Sequence, residues 1–382
     1  MLRPELTELI EFIRDKFGSH CDLPLHEPRF NDQEKANLIA CIESTYVSSV
    51  GEYVDEVEQK ISKYTGAKHA IATVNGTSAL HLALLIAGVE ADTEVLTQPL
   101  SFVATSNAIK YCGASSIFID IDCRHLGMSV SALEDFLNSS AEKRAGTCIN
   151  RISKKKISAC VPMHTFGHPC EIDKLKMICD EWSIPLIEDA AESMGSFYRN
   201  KHTGTYGLLG TLSFNGNKII TAGGGGAILT NDTAIAKKAK HISRTAKLAH
   251  KWDFIHDQVG FNYRMPNLNA ALLSAQLEKL DDFVARKRRL ADDYKNWCAG
   301  AGVNFLSEPN NARSNYWLNT VILDDEGEKL DFLEFANSCG VRCRPAWRLL
   351  NELPMFNSCI TASCYNAKNA VKRIVNLPSS VI

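Results

Sequence analysis

Asp189 and Lys218 are the residues whose types and setting most directly imply chemistry. The stretch that holds them reads I-P-L-I-E-D-A-A-E-S from Ile184 and G-T-L-S-F-N-G-N-K-I-I-T-A-G-G-G-G-A-I-L from Gly210. Asp189 closes one apolar run, and Lys218 follows a second run and a small polar turn. A lysine amine in such a place condenses with an aldehyde, and a strand-end carboxylate keeps a pyridine nitrogen protonated so that the ring draws electrons. Together they suit pyridoxal phosphate. Taken alone, the pair reads as a strand-end acid and a surface lysine. The surroundings favour the chemistry. Ser213 lies close enough before Lys218 to bond a phosphate from the same turn, and Asn215, Gly216 and Asn217 are turn residues. Gly223 to Gly226 let a backbone or a ligand approach closely.

E-D-A-A-E-S followed by S-F-N-G-N-K-I-I-T-A-G-G-G-G resembles the pyridoxal phosphate-dependent nucleotide-sugar aminotransferases of the DegT/StrS group. Within that group it resembles the 4-aminotransferases that make amino sugars for legionaminic acid and related surface glycans. The resemblance extends over nearly the whole chain. It implies an α/β, aspartate-aminotransferase-like fold (fold type I), with a mainly parallel sheet in a large cofactor-binding domain, 1–265, and a small C-terminal α/β domain, 266–382. It implies catalytic roles for Lys218 and Asp189, and an aromatic at Phe102 stacked on the pyridine ring, core packing being the other reading. Glu192 matches the position that bonds near the ring's O3′, where many relatives carry Gln or His. Asn262, in G-F-N-Y-R, matches an asparagine that reaches the cofactor phosphate of the neighbouring subunit, which implies a homodimer with shared sites. The implied reaction moves an amino group from glutamate to the C4 keto group of a UDP-linked 4-keto-6-deoxy N-acetylhexosamine.

The elements that must position these residues are legible from pattern. A-I-A-T-V, 70–74, reads as a short strand that turns directly into the apolar helix N-G-T-S-A-L-H-L-A-L. The start of such a helix offers N–H groups and a favourable dipole to a phosphate. Gly76, Thr77 and Ser78 with Ser213 form a candidate phosphate cup, a plain helix cap being the alternative. Strands at 94–99, 115–122 and from 157, separated by helical stretches, predict βαβ units and a mainly parallel sheet. Ligands gather at the carboxyl ends of such strands, and Gly76, Phe102, His164 and Asp189 all fall just past strand ends. Residues 141–156 read as a solvated loop, and a single long helix is expected from about 267 to 298.

Several side chains are candidates for substrate. His26, with Arg29 in P-L-H-E-P-R-F, either meets substrate or anchors its loop. His164, in an active-site loop by the resemblance, is a candidate contact to cofactor or sugar. His250 and Lys251, beside Trp252, and Arg264 either face the phosphates of a nucleotide or form a solvated face. Asp120 and Asp122 read as strand-end and loop acids with no ligand cluster after them. His164 and His168 cannot share a helix through Gly167 and Pro169, so no metal site is expected.

The composition of the 382 residues, 45% hydrophobic and 23% charged with a net charge of -2, is that of a globular chain without a nucleic-acid or membrane partner. No secretory signal or membrane span is expected, which points to the cytoplasm. The thirteen cysteines are odd in number and scattered, so free thiols are expected. A sugar dehydratase of the same group would replace the lysine by histidine, and Lys218 disfavours it. A non-catalytic, cofactor-binding regulator would add a basic DNA-binding segment. A dehydrogenase would need G-x-G-x-x-G after the first strand, and N-G-T-S-A-L has the wrong spacing.

Overall fold

The computed structural model describes residues 2–18 and 22–382. Three helices come first: α1 (Pro4–Phe17), α2 (Asp32–Glu43) and α3 (Glu52–Thr65). Asn31 and Glu34 cap α2 reciprocally, and α3 buries Val54, Val57 and Ile61 at helical spacing. The chain then alternates through β1 (His69–Thr73), α4 (Gly76–Ile86), β2 (Glu94–Thr97), α5 (Ala104–Tyr111), β3 (Ser115–Phe118) and α6 (Val130–Ser140). It continues through β4 (Ile157–Val161), α7 (Ile172–Glu181), β5 (Ile187–Asp189), β6 (Leu209–Ser213), β7 (Gly226–Thr230) and α8 (Thr233–Ser243).

These strands lie side by side in the order β1-β7-β6-β5-β4-β2-β3. Parallel bridges Cys160 to Leu186 and Met163 to Asp189 join β4 to β5. Only β7 runs against the rest, pairing antiparallel with β1 and β6. Strands buried along nearly their whole length need cover on both faces, which is the setting of a parallel sheet. α4 is buried at most of its positions because it packs against β6, β7 and α5 together.

The predicted long helix is two helices, α9 (Asn267–Glu278) and α10 (Leu280–Ala301), meeting at Lys279. α9 is buried against α2 and α3, whereas α10 carries an apolar stripe, Phe283, Leu290 and Tyr294 among it, onward to a second sheet. Lys279 also pairs with Glu34 of α2 at the break. Beyond α10 come β8 (Asn304–Phe305), β9 (Asn319–Ile322), β10 (Arg344–Pro345), β11 (Ile360–Thr361) and β12 (Ile374–Leu377). The small sheet is antiparallel, in the order β8-β9-β12-β10, while β11 returns to pair in parallel with β3 at the edge of the large sheet.

The packing crosses the boundary expected at residue 265. Leu6, Leu9, Ile10 and Ile13 of α1 share a core with Tyr294, Val321, Phe332 and Val375, so the first helix belongs with the C-terminal unit. α9 belongs with the first unit. Residues 141–156 hold a hairpin, Ala141–Arg144 with Thr147–Asn150, where a loop was expected. Its turn residues Ala145 and Gly146 both have positive φ, the twist that a two-residue hairpin needs. Twelve cysteines lie among the described residues, all free and nine of them buried; Cys21 lies outside. Among the described residues no helix is long and apolar enough to cross a membrane.

Candidate active site

The carboxyl ends of β1, β5 and β6 and the start of α4 meet around a cavity of about 290 Å³. Gly76, Thr77, Phe102, Asp189, Glu192, Ser213 and Lys218 all line it. Phe102 is 50% exposed, so it presents its ring to the cavity and is not a core residue.

Asp189 ends β5 and is held by two donors. Thr105 Oγ1 donates to Oδ2 at 2.8 Å, and the Ala191 N–H donates to Oδ1 at 3.2 Å. Thr105 is itself 2.8 Å from Ser101 Oγ, so the hydroxyl pair at the start of α5 orients the acid. Lys218 Nζ lies 3.4 Å from Glu192 Oε1 and 4.2 Å from the centre of the Trp317 ring. The indole N–H of Trp317 donates to the Asn217 carbonyl at 2.8 Å, which ties the small unit to the turn before the lysine. Glu192 is buried, with the Phe166 N–H on its Oε2 at 2.9 Å. Burial lifts its pKa to about 7, and the charge of Lys218 only partly opposes the rise.

At the head of α4 the Asn75 side chain accepts the Ser78 N–H at 2.7 Å. Among the described residues no partner meets the N–H groups of Gly76 and Thr77. A Cβ at Gly76 would stand 2.8 Å from that of Ser213, so only glycine lets the helix start lie against the strand end. Ser78 departs from the expected cup: it is buried and does not line the cavity, and its N–H is taken by the cap.

One expected contact is corrected. His164 is fully buried, with Nε2 3.1 Å from Glu188 Oε2 and Nδ1 accepting the Cys170 N–H at 3.1 Å. Both ring nitrogens are engaged inside the protein, so His164 does not reach a ligand. Arg29 anchors its loop, donating to the Val381 carbonyl, and His26 lines a neighbouring cavity. Asn262, Arg264, His250 and Lys251 do not line the cavity of their own chain. Arg264 lines a separate pocket with Arg244 and Gly51, and Asn262 is exposed beside it. His250 and Lys251 lie on an exposed loop, the lysine over the Trp252 ring at 5.2 Å.

The fold also brings Asp122, His125 and Glu171 within 4.8 Å of one another, a cluster unforeseen in the sequence because 46 or more residues separate Glu171 from the other two. Arg124 spans the two carboxylates at 2.6 and 2.9 Å, and Lys174 pairs with Glu171 at 2.7 Å, so two cations balance the two acids. Sequence reasoning also missed Asn75, Thr105, Trp317 and Trp347. Asn75 directly precedes the helix in N-G-T-S and had the signal of a cap. The two tryptophans come from the small unit and had none.

The sequence profile of the DegT/DnrJ/EryC1/StrS aminotransferase family matches residues 28–381. The chain belongs to that family. It is 34% identical over 360 residues to the GDP-perosamine synthase of Vibrio cholerae, covering 94% of each chain. EpsN of Bacillus subtilis, named provisionally as a pyridoxal phosphate-dependent aminotransferase, is 34% identical over 367 residues, covering 94% of this chain and 91% of its own. Among solved structures, PseC of Helicobacter pylori, an aminotransferase involved in pseudoaminic acid biosynthesis, superposes with a TM-score of 0.84 at 23% identity, covering 94% and 93%. This chain is thus a pyridoxal phosphate-dependent aminotransferase of fold type I. The residues present suit that cofactor: the helix start offers free N–H groups beside a cradle that a Cβ would fill, with a carboxylate and a lysine in the same cavity.

Glu192 carries a pH signature. A carboxyl whose pKa is raised in the folded state loses stability as pH climbs from its unfolded value of 4.5 toward about 7, because the buried group must ionise. In cofactor-free protein, Glu192→Gln should therefore gain stability over wild type at pH 8, on the order of 3 kcal/mol, and little at pH 5. Scanning calorimetry across that range checks it; a gain independent of pH would contradict the raised pKa.

Proposed function

We propose that this aminotransferase moves an amino group from glutamate to the C4 keto group of a UDP-linked 4-keto-6-deoxy N-acetylhexosamine. The setting is cytoplasmic assembly of surface glycans of the legionaminic acid or bacillosamine type. The observation that carries the reading is the placing of Lys218 Nζ beside Glu192, in one cavity with Asp189 and the open N–H groups of α4. Relatives named for perosamine and pseudoaminic acid support a sugar acceptor, and the E-D-A-A-E-S and S-F-N-G-N-K motifs support the 4-amino sugar branch.

Pyridoxal phosphate, when bound, supplies an aldehyde that takes up the amino group and a ring that accepts electrons. Lys218 Nζ is the amine that would hold that aldehyde, and it would move the proton taken from the donor α-carbon. The Asp189 carboxylate, aimed by Thr105, keeps the ring nitrogen protonated. The Gly76 and Thr77 N–H groups with the Ser213 hydroxyl would hold the phosphate, and Phe102 and Glu192 would contact the ring. In the sugar half of the reaction Lys218 returns the proton to the carbon that becomes the amine. Asn262, exposed outside the cavity of its own chain, would serve the site of a second subunit, and His250, Lys251 and Arg264 would face the nucleotide.

Borohydride reduction of the yellow holoenzyme should fix cofactor mass on the peptide containing Lys218, and Lys218→Ala should abolish it. Mass on another lysine would remove the assignment. For the acceptor, the aminated enzyme in single turnover should react with a UDP-linked 4-keto sugar far faster than with the same sugar freed of nucleotide or with pyruvate. Comparable rates with pyruvate would leave a general aminotransferase. For the dimer, inactive Lys218→Ala and Asn262→Ala proteins, each folded, should regain activity when mixed under subunit exchange. Confirmed exchange without activity would place Asn262 outside any shared site.

A further inference from the structure

Beside the Lys218 cavity lies a second one, of about 440 Å³, which shares Asn217, Trp317 and Trp347 with it. Its other polar walls are His26, Arg344 and Asn376. Arg344 and Asn376 face each other across the pairing of β10 with β12, so both stand on sheet and not on a loose loop.

Two groups in this second cavity are chemically incomplete. Both ring nitrogens of His26 are buried and have no partner. Buried polar groups in proteins are nearly always satisfied, so an unpartnered imidazole on the wall of a cavity marks the place of a missing partner. Arg344 makes only neutral contacts, from one guanidinium nitrogen, to Asn337 Oδ1 at 3.0 Å and to the Cys343 carbonyl at 3.2 Å. Among the described residues no carboxylate pairs with it. By contrast, Arg342 on the same segment pairs with Asp22. A guanidinium with its remaining N–H groups free on a cavity wall matches an oxyanion in charge and geometry.

We propose that the His26–Arg344 cavity is an anion subsite of the Lys218 site. It takes an oxyanion carried by a substrate, either the carboxylate of the amino donor or a phosphate of the nucleotide-linked acceptor. The inference rests on the function proposed above. Contiguity supports it: Asn217 directly precedes Lys218, and the Trp317 ring that walls both cavities lies 4.2 Å from Lys218 Nζ. An anion fixed there orients the reacting carbon at the lysine through binding energy remote from the chemistry.

The test compares wild-type holoenzyme with Arg344→Gln, Arg344→Lys and His26→Gln. Calorimetric titrations use glutarate, an unreactive dicarboxylate, and UDP; stopped-flow traces follow glutamate and the UDP-linked keto sugar separately. Arg344→Gln should weaken one of the two anions by about tenfold or more and slow the matching half-reaction at low substrate. Arg344→Lys should recover part of the loss. Weakened glutarate assigns the cavity to the donor carboxylate, and weakened UDP assigns it to the acceptor phosphate. Should Arg344→Gln melt early, Arg344→Lys and His26→Gln carry the comparison. Wild-type affinity for both anions in folded Arg344→Gln and His26→Gln overturns the subsite. A wild-type holoenzyme that turns over neither glutamate nor any nucleotide-linked keto sugar sinks the functional reading instead, and the subsite with it.

Discussion

The site depends on the approach of the start of α4 to the paired ends of β6 and β7. A Cβ at Gly226 would stand 2.5 Å from the Asn75 carbonyl carbon and 2.7 Å from the Gly76 nitrogen, which no side chain tolerates. With glycine on both sides, backbone packs on backbone. The free N–H groups of the helix then open onto the same cavity as Ser213 and Lys218, which follow from β6. The antiparallel β7 makes this contact, because its direction brings its first residue, Gly226, beside the last residue of β6.

Three acidic residues within one short stretch meet three environments. Glu188 and Asp189 are neighbours on β5 and point to opposite faces of the sheet. Glu188 turns inward and accepts His164 Nε2 at 3.1 Å and the N–H groups of Gly204, Tyr206 and Gly207 at 2.8, 2.6 and 2.8 Å. Burial alone would raise its pKa, but these donors hold it below the ordinary carboxylate value. It thereby fixes the loop after β5, and His164 with it. Asp189 turns toward the cavity with a hydroxyl and one N–H. Glu192 receives one N–H and a lysine at a longer distance, too little to offset its burial, so its pKa rises.

The small unit closes the cavity through polar ties as well as its core. Asp120, at the end of the large sheet, accepts the N–H groups of Asn366 and Ala367, both at 2.9 Å, and so caps a C-terminal helix. Lys287 sits within the apolar stripe of α10 and donates to the Ser379 carbonyl; burial pushes its pKa down to about 7. Trp317 and Trp347 are carried to the cavity by this framework, with the Trp347 ring 5.1 Å from that of Phe166.

The chain's own order of residues determined the parts whose information is local. The alternation of strands and helices from 69 to 230, the acid at the end of β5, the lysine after β6 and the glycine run were all legible, because period, turn chemistry and residue type are properties of a short window. So was the helix start at Gly76 and Thr77. Tertiary structure alone decided which neighbours each side chain met. His164 lies just past β4 and Asp189 ends β5, yet one faces the core and the other the cavity, a choice set by the pleat and by the donors awaiting Glu188. The break at Lys279 and the attachment of α1 to the C-terminal sheet follow from which apolar faces found partners. Trp317, Trp347 and Arg344 lie about a hundred or more residues beyond Lys218, and no spacing rule links them to it. Only the packing of one unit on the other puts an indole against the lysine and a guanidinium in the cavity beside it.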